Sequence, residues 1–208
     1  MKQNKIVLLF LAIGLLITGA GCKKYLYVNQ NVNDPVKVPV STLLTGCELA
    51  IGRSLSMGNG NAGGLSGGLS VYMHQQSTRE QADAYGMLSN DFDIETAWPA
   101  LYASIADLDR MIIQATAETR FVYAGIGKIL KAYAFSQMVD VWGDIPFSEY
   151  NSFKNGVKQP KFDDDATIYP KLFTLLDEGI TAINNPAVNA SVPGNDDLIY
   201  RGDRKSVV

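Results

Sequence analysis

The stretch KAYAFSQMVDVWGDIPFSEY occupies residues 131–150 and combines an apolar helical pattern with an abrupt stop. Gly143 has the backbone freedom with which many helices end, and Pro146 prevents continuation because it lacks a backbone N–H. Three aromatic residues crowd the same short turn: Trp142, Phe147 and Tyr150. The stretch therefore predicts a long helix that ends next to Gly143 and folds back through an aromatic-rich turn.

Helical spacing extends to both sides of this turn. Three sets of apolar residues recur every three or four positions. They are Leu101, Ile105, Leu108, Ile112 and Ala115; Val122, Ile126, Ile129, Leu130, Tyr133 and Val141; and Ile168, Leu172, Leu175, Leu176, Ile180 and Ile183. We predict that Asp165 caps the third helix and that Pro170 lies near its first turn, where proline is tolerated. No alternating strand pattern competes, so the chain is predicted to be mainly α-helical.

The middle helix is unusually rich in small residues. They are Ala124, Gly125, Gly127, Ala132 and Ala134. Small side chains let neighbouring helices approach closely, as they do in stacks of helical hairpins. The composition of this helix therefore predicts that it packs tightly against its neighbours.

The region before the first long helix predicts shorter elements. Ser41 or Thr42 is expected to cap a helix. Residues 58–68 (GNGNAGGLSGG) lack the glycine spacing and the Lys-Ser/Thr ending of a phosphate-binding loop, so we predict a flexible linker. A short helix is expected over Leu69–Gln76, followed by an irregular exposed segment at 77–92.

Residues 1–21 have the layout of an export signal. Lys2 and Lys5 precede an apolar run, and small residues then lead to Cys22. The run is too short to span a bilayer comfortably, so a transmembrane anchor is the weaker alternative. Small residues before a cysteine match a bacterial lipobox, which predicts acylation of Cys22 and a lipid-anchored mature chain with an extended leader at 22–40. The other alternative is an ordinary signal peptide beside a chance cysteine.

Composition excludes several classes of function. The 208 residues carry a net charge of −3, and lysine and arginine are spread too thinly to form the basic stripe that nucleic-acid binding needs. If Cys22 carries lipid, Cys47 has no partner, so no disulfide framework is expected. Cys47 lies in an apolar helical stretch and is predicted to be a buried free thiol.

Candidate catalytic and metal-binding residues are few. His74 is the single histidine and has no recognisable nucleophile motif beside it, so a structural role is favoured. The acidic run Asp163-Asp164-Asp165 lacks the glycine and distal Glu of a calcium loop, and helix capping accounts for it. We expect no metal ion and no other cofactor. A carboxylate pair for glycoside hydrolysis stays open, because separation in space is not visible in a sequence.

Residues 131–150 resemble the hallmark of SusD/RagB-type nutrient-binding lipoproteins, in which a helix ends in an aromatic-Gly-Asp-hydrophobic-Pro turn. Three further segments resemble the family in its own order. They are the lipobox cysteine with its Asn-rich leader (22–35), the Trp-containing helix (97–115) and KFDDDATIYPKLFTLLDEGI (161–180). The resemblance implies a SusD-like fold of tetratricopeptide-like helical hairpins, whose N-terminal part we place at 41–202.

The resemblance also implies a function without catalysis. Family members capture a nutrient, often an oligosaccharide, at the outer membrane and deliver it to a SusC-like TonB-dependent transporter. A lipid-anchored protein displayed at the cell surface is expected. Two alternatives remain: a structural helical-repeat lipoprotein that binds only protein partners, and, more weakly, a lipid-anchored glycosidase.

Sugar binding needs flat aromatic faces together with side chains that form hydrogen bonds with hydroxyl groups. The polar segment 77–92 offers this combination in four residues: Arg79, Asp83, Tyr85 and Asn90. Part of the family's ligand site comes from an equivalent early loop, so we predict that these residues bind ligand. Trp98 and Trp142 are better explained by packing in the core or the hairpin.

Residues 203–208 do not continue the family pattern. Their sequence, DRKSVV, is what the bases GATCGGAAGAGCGTCGTG encode, and these bases are a common sequencing-adapter sequence. Our hypothesis is that they are a read-through artefact and that the fold is truncated, since family members are generally much longer. An uninterrupted reading frame past Asp203 on resequencing would support it, and a genuine stop after Val208 would refute it.

Overall fold

The computed structural model describes residues 37–56, 64–75, 94–152, 156–187 and 189–207. These ranges contain six helices: α1 (Val40–Leu55), α2 (Leu65–Tyr72), α3 (Ile94–Ala117), α4 (Phe121–Trp142), α5 (Asp165–Ile183) and α6 (Arg204–Val207). Extended pairing within the same ranges is limited to one antiparallel bridge between Ile145 and Asp163. The prediction of a mainly α-helical protein is confirmed for the part of the chain that is described.

The long helices stack side by side in the order α1, α3, α4, α5. Each of the three predicted apolar patterns falls inside one of the helices α3, α4 and α5. Only residues 118–120 separate α3 from α4, and so short a connection forces the two helices to run antiparallel. The fully buried core contains Leu101, Ile105, Val122 and Phe135, which come from α3 and α4. The predicted helical hairpins are therefore present.

The small residues of α4 lie at its contacts with both neighbours. A Cβ atom added to Gly127 would lie 2.7 Å from the Cε atom of Met111 on α3. Ala124, Ala132 and Ala134 are all buried. Helix α4 is thus covered on two sides, and the prediction of close packing is confirmed.

The predicted cap of α1 is wrong. The N-cap position is Pro39, which makes no side-chain capping bond, and the helix begins at Val40. Ser41 and Thr42 therefore lie inside the first turn. Val40 is fully buried, so packing against the core outweighs the preference for a polar cap.

The boundaries predicted for α2 are also wrong. The helix begins at Leu65, inside the expected linker, and ends at Tyr72 rather than Gln76. Leu65 is buried, and this burial outweighs the low helix propensity of the glycines that follow it. His74 lies beyond the helix in a turn with a positive φ of 54°. Residues 57–63 of the expected linker lie outside the described ranges.

The start of α5 differs from the prediction by one residue. Asp164, rather than Asp165, is the N-cap, and its Oδ1 accepts the backbone N–H of Ala166 at 3.0 Å. The N–H of Asp165 is bound instead by Asp144 Oδ1 at 3.1 Å. Pro170 lies in the second turn, beyond the first turn expected for it. Capping is thus confirmed for Asp164 of the acidic run, and Asp165 lies in the first turn of the helix.

The segment that follows α5 returns to the start of α4. The backbone N–H of Val122 donates to Asn189 Oδ1 at 3.2 Å, and that of Ala190 donates to the carbonyl of Thr119 at 3.0 Å. Further along, Thr45 on α1 donates its hydroxyl to the carbonyl of Asp196 at 2.7 Å. These bonds hold residues 189–202 against both α4 and α1.

Cys47 is 3% exposed and unpaired, which confirms the predicted buried thiol. The signal segment 1–21, Cys22 and most of the leader 22–40 lie outside the described residues. The domain boundaries therefore stay predictions, as does the assignment of 203–208 to an artefact. Residues 204–207 form the single turn of α6.

Candidate functional site

The residues predicted to bind ligand cannot be placed in the fold. Arg79, Asp83, Tyr85 and Asn90 lie in the segment 76–93, which is outside the described ranges. Their role stays a prediction. The described ranges contain the turn after α4, a polar cluster around Asp109 and an apolar groove between α4 and α5.

The turn after α4 reverses the chain through Gly143, whose φ is 71°. The N–H of this glycine donates to the carbonyl of Val139 at 2.8 Å, which closes the end of the helix. Ile145 then exchanges two backbone hydrogen bonds with Asp163, at 2.9 and 3.3 Å. The predicted helix stop is confirmed, and the bridge joins the turn to the residues that precede α5.

The carboxylate of Asp163 holds the rest of the turn. Its Oδ2 accepts the backbone N–H groups of Ser148 at 2.6 Å and Phe147 at 3.1 Å, and its Oδ1 accepts the Ser148 hydroxyl at 2.9 Å. The side chain is 9% exposed. Burial opposes ionisation, but the bonds from Ser148 and Phe147 outweigh it and lower the pKa of Asp163. The role of the Asp163 carboxylate is therefore structural: its negative charge and its hydrogen bonds hold the turn.

An aromatic cluster fills the space between the turn and the helices. Trp98 and Trp142 meet edge to face with ring centres 5.1 Å apart, and Phe135 meets Phe147 at 4.7 Å. The Tyr102 hydroxyl donates to the carbonyl of Pro146 at 2.8 Å. Both tryptophans are engaged in packing, which confirms their predicted structural role.

A polar cluster around Asp109 supports the same turn. Lys131 Nζ lies 2.6 Å from Asp109 Oδ1, and the hydroxyl of Tyr150 donates to the other carboxylate oxygen. Asn151 Nδ2 also donates to that oxygen at 3.3 Å. Burial and the bond to Asp109 raise the pKa of Tyr150. The carboxylate is saturated by internal donors, so the cluster is suited to holding the turn in place rather than to proton transfer.

An open groove of about 580 Å³ lies between α4 and α5. Its walls are largely aliphatic and aromatic. The lining residues are Ile129, Leu130, Ala132, Tyr133, Ser136, Tyr169, Leu172, Phe173, Leu176, Ile199 and Tyr200. Phe173 is 62% exposed and Tyr133 is 48% exposed, so both rings present open faces. Ile199 and Tyr200 come from the segment after α5 and form a third wall.

The polar groups in the groove are partly engaged. The Ser136 hydroxyl donates to the carbonyl of Tyr133 at 2.8 Å, and the Tyr169 hydroxyl donates to Asp140. A groove of this kind suits an apolar surface or the flat face of a ring, and offers few groups that could satisfy sugar hydroxyls. The groove could not be predicted from the sequence, because helical spacing groups Tyr133 with the buried face but cannot show whether another element covers that residue.

The described residues contain no group of three or more His, Cys, Asp or Glu side chains that could hold a metal ion. Within the same part of the chain, none of the helices is sufficiently long and apolar to traverse a bilayer. Neither observation decides the function by itself.

The structure is similar to that of a SusD/RagB family protein from Bacteroides thetaiotaomicron, with a TM-score of 0.66 and 19% sequence identity. The match covers 81% of this chain and 35% of that protein, so the chain spans about a third of its length. No curated protein matches the sequence. A SusD-like family model, described as starch-binding and associating with the outer membrane, matches residues 32–206. Because that match spans most of the chain and the fold agrees with it, this protein belongs to the SusD/RagB family.

Proposed function

We propose that this protein captures an oligosaccharide at the outer membrane and does not cleave it. The observation that carries the proposal is the family match over residues 32–206, whose description names starch binding and association with the outer membrane. The stacked helices support it as a scaffold: their buried polar clusters hold turns in place, and the site would be carried by loops. The captured nutrient then passes to a SusC-like TonB-dependent transporter.

The sugar contacts are proposed to come from the polar segment that contains Arg79, Asp83, Tyr85 and Asn90. The ring of Tyr85 would stack on the apolar face of a pyranose, while the charged and amide groups would form hydrogen bonds with its hydroxyls. The groove between α4 and α5 lacks such a polar complement. It is therefore not proposed as the sugar site.

Isothermal titration against a panel of oligosaccharides tests capture, using the protein expressed from its complete reading frame. The expected result is binding to at least one glycan, with affinity reduced by Tyr85→Ala and no change in thermal unfolding. Tyr133→Ala is the matched control, because Tyr133 is half exposed in the groove and should leave glycan affinity unchanged. Absence of binding to every starch-type and related glycan would contradict capture.

The second candidate is a scaffold that binds only protein partners. The apolar groove favours it, since exposed aromatic faces with few free polar groups are typical of protein contacts. A scaffold would bind none of the glycans in the titration. Product analysis separates the weaker glycosidase alternative, because a capture protein leaves the oligosaccharide intact.

The membrane anchor is proposed to be lipid on Cys22, with display at the cell surface. Acylation with more than one chain would make attachment nearly permanent. Mass spectrometry of the mature protein should find a modified N-terminal Cys22, and Cys22→Ser should release the protein from the membrane fraction. An unmodified N-terminus that begins elsewhere would contradict the anchor.

Delivery to a transporter requires a physical partner. After mild detergent extraction of outer membranes, the protein should co-purify with a TonB-dependent barrel. A SusC-like gene next to the gene for this protein would also support delivery, and inspecting the neighbouring genes requires no experiment. Extraction of the protein alone, from cells that produce such a barrel, would count against delivery.

A further inference from the structure

Two buried carboxyl groups meet where α1 contacts the segment after α5. Glu48 on α1 is 5% exposed and Asp197 is 1% exposed. Glu48 Oε2 accepts the backbone N–H of Leu198 at 2.7 Å. Its other oxygen, Oε1, is fully buried and has no donor among the described residues. A buried acceptor with no donor is costly, so the arrangement needs an explanation.

Three backbone donors already bind the carboxylate of Asp197, which leaves room for one more. Its Oδ1 accepts the backbone N–H groups of Ile199 at 3.1 Å and Tyr200 at 2.9 Å, and its Oδ2 accepts that of Gly202 at 3.0 Å. These three bonds fold residues 197–202 into a tight turn. Of the two facing acids, Asp197 has donors on both carboxylate oxygens, whereas Glu48 has one oxygen without a donor.

The surroundings make a second charge at Glu48 unfavourable. Burial is the main reason that the pKa of Glu48 rises to about 7; the N–H of Leu198 acts in the opposite direction, and Asp197 adds to the rise. Other ionisable groups surround the pair: Cys47 on α1, Asp107 on α3, Arg120 and Tyr123 at the start of α4, and Asp196 in the turn.

Another carboxylate, that of Asp196, lies close to the pair. Asp196 accepts the Tyr123 hydroxyl at 2.6 Å and the N–H of Gly194 at 2.9 Å. Burial opposes its ionisation, but these bonds outweigh burial and lower the pKa of Asp196. Glu48 thus lies close to two other carboxyl groups, those of Asp196 and Asp197.

We propose that Glu48 and Asp197 share one proton. The resulting hydrogen bond, which we call the clasp, holds the turn 197–202 against α1. A protonated Glu48 donates from its otherwise unpartnered oxygen to Asp197 while its second oxygen keeps the Leu198 N–H. Loss of the proton places two like charges in contact in a dry site and loosens the turn. Ile199 and Tyr200 form one wall of the groove, so the same event opens that wall.

The direction of the pH dependence follows from the raised pKa. The ordinary value for the Glu48 carboxyl is 4.5, and the clasped value is about 7. The folded form then binds the proton more tightly than the open form. The stabilisation is fully present below 4.5 and is lost as the pH rises through 7.

Hydrogen exchange of the full chain tests the clasp through the amides of Leu198, Ile199 and Tyr200. Their protection factors, corrected for the intrinsic pH dependence of exchange, should fall by up to about tenfold per pH unit between the two pKa values, as one linked proton requires. Glu48→Gln should abolish this dependence, because an amide can donate to Asp197 and still accept from Leu198 at every pH.

Glu178→Gln is the matched control. Glu178 is 52% exposed on α5 and pairs with Lys128 at 2.7 Å, so its loss should leave the pH profile of the turn unchanged. Protection in the wild-type protein that stays constant across the window would overturn the proposal. So would a Glu48→Gln profile that falls as steeply as that of the wild type.

A measurement on the unmodified protein tests the proposal even if the Glu48→Gln variant does not fold. Carbon-13 NMR of the side-chain carboxyl groups follows Glu48 directly. The clasp requires a Glu48 midpoint near 7. A midpoint near the ordinary 4.5 would show that no proton is shared.

Discussion

Gly125 of α4 and Gly179 of α5 face each other where the two helices approach most closely. A Cβ atom added to Gly125 would lie 2.6 Å from the carbonyl oxygen of Gly179, and one added to Gly179 would lie 3.1 Å from the carbonyl oxygen of Gly125. Both obstacles are backbone atoms, which cannot rotate away as a side chain can. This contact limits how closely the two helices can approach.

Gly125→Ala should therefore destabilise the protein. Overpacking costs about 1–3 kcal/mol, which exceeds the gain of roughly 0.5–1 kcal/mol from better helix propensity. Gly52→Ala on α1 is the matched control, because no atom lies within 4 Å of its added Cβ, and it should be neutral or stabilising. Urea unfolding measures both. Equal effects of the two variants would show that the close contact is unimportant.

Asp163→Ala should weaken the turn after α4. It leaves the backbone N–H groups of Phe147 and Ser148 without their acceptor, at a cost of about 1–3 kcal/mol. Asp177→Ala, on the exposed side of α5, serves as control. Because the pKa of Asp163 lies below its ordinary 3.8, its contribution is present above that value and is lost as the pH falls through the lowered pKa. Acid unfolding of the variant should lack this component.

Phe135 and Phe173 carry the same side chain in opposite environments. Phe135 is 0% exposed and Phe173 is 62% exposed. Phe135→Ala should cost about 3–5 kcal/mol, since it empties part of the core. Phe173→Ala should change the free energy of unfolding by less than about 0.5 kcal/mol. A large loss for Phe173→Ala in urea unfolding would mean that the groove is covered in solution.

Cys47 should be unreactive in the folded protein. Burial, followed by the charges of Asp107 and Glu48, raises the pKa of its thiol to about 12, and the reactive thiolate is then scarce at neutral pH. In a Cys22→Ser variant, a thiol reagent should label Cys47 only after urea is added. Rapid labelling under native conditions would contradict the buried position.

The sequence was sufficient to predict the long helices and the end of α4 next to Gly143. Apolar spacing of three and four residues identified α3, α4 and α5, because a helix must bury one stripe of its surface wherever it packs. The sequence was not sufficient to predict where the other helices begin and end. The caps at Pro39 and Asp164 and the early start of α2 depend on which residues the core buries, which local preference does not reveal.

The roles of individual residues were likewise predictable only in part. Trp98, Trp142 and Cys47 were correctly assigned to packing from their place in apolar helical segments. The groove around Tyr133 and Phe173 was not foreseen, because a helical stripe is defined by spacing while its exposure depends on what lies against it. The pairing of Glu48 with Asp197 was not foreseen either, since it joins residues about 150 positions apart.

The amino-acid sequence alone determined the helical architecture, the hairpin stop and the resemblance to the family, because these rest on patterns within short stretches of chain. Only the tertiary structure decided which apolar faces stay open and which acids lose contact with water. Exposure and ionisation depend on groups that are distant in sequence and adjacent in space. No local pattern encodes that adjacency.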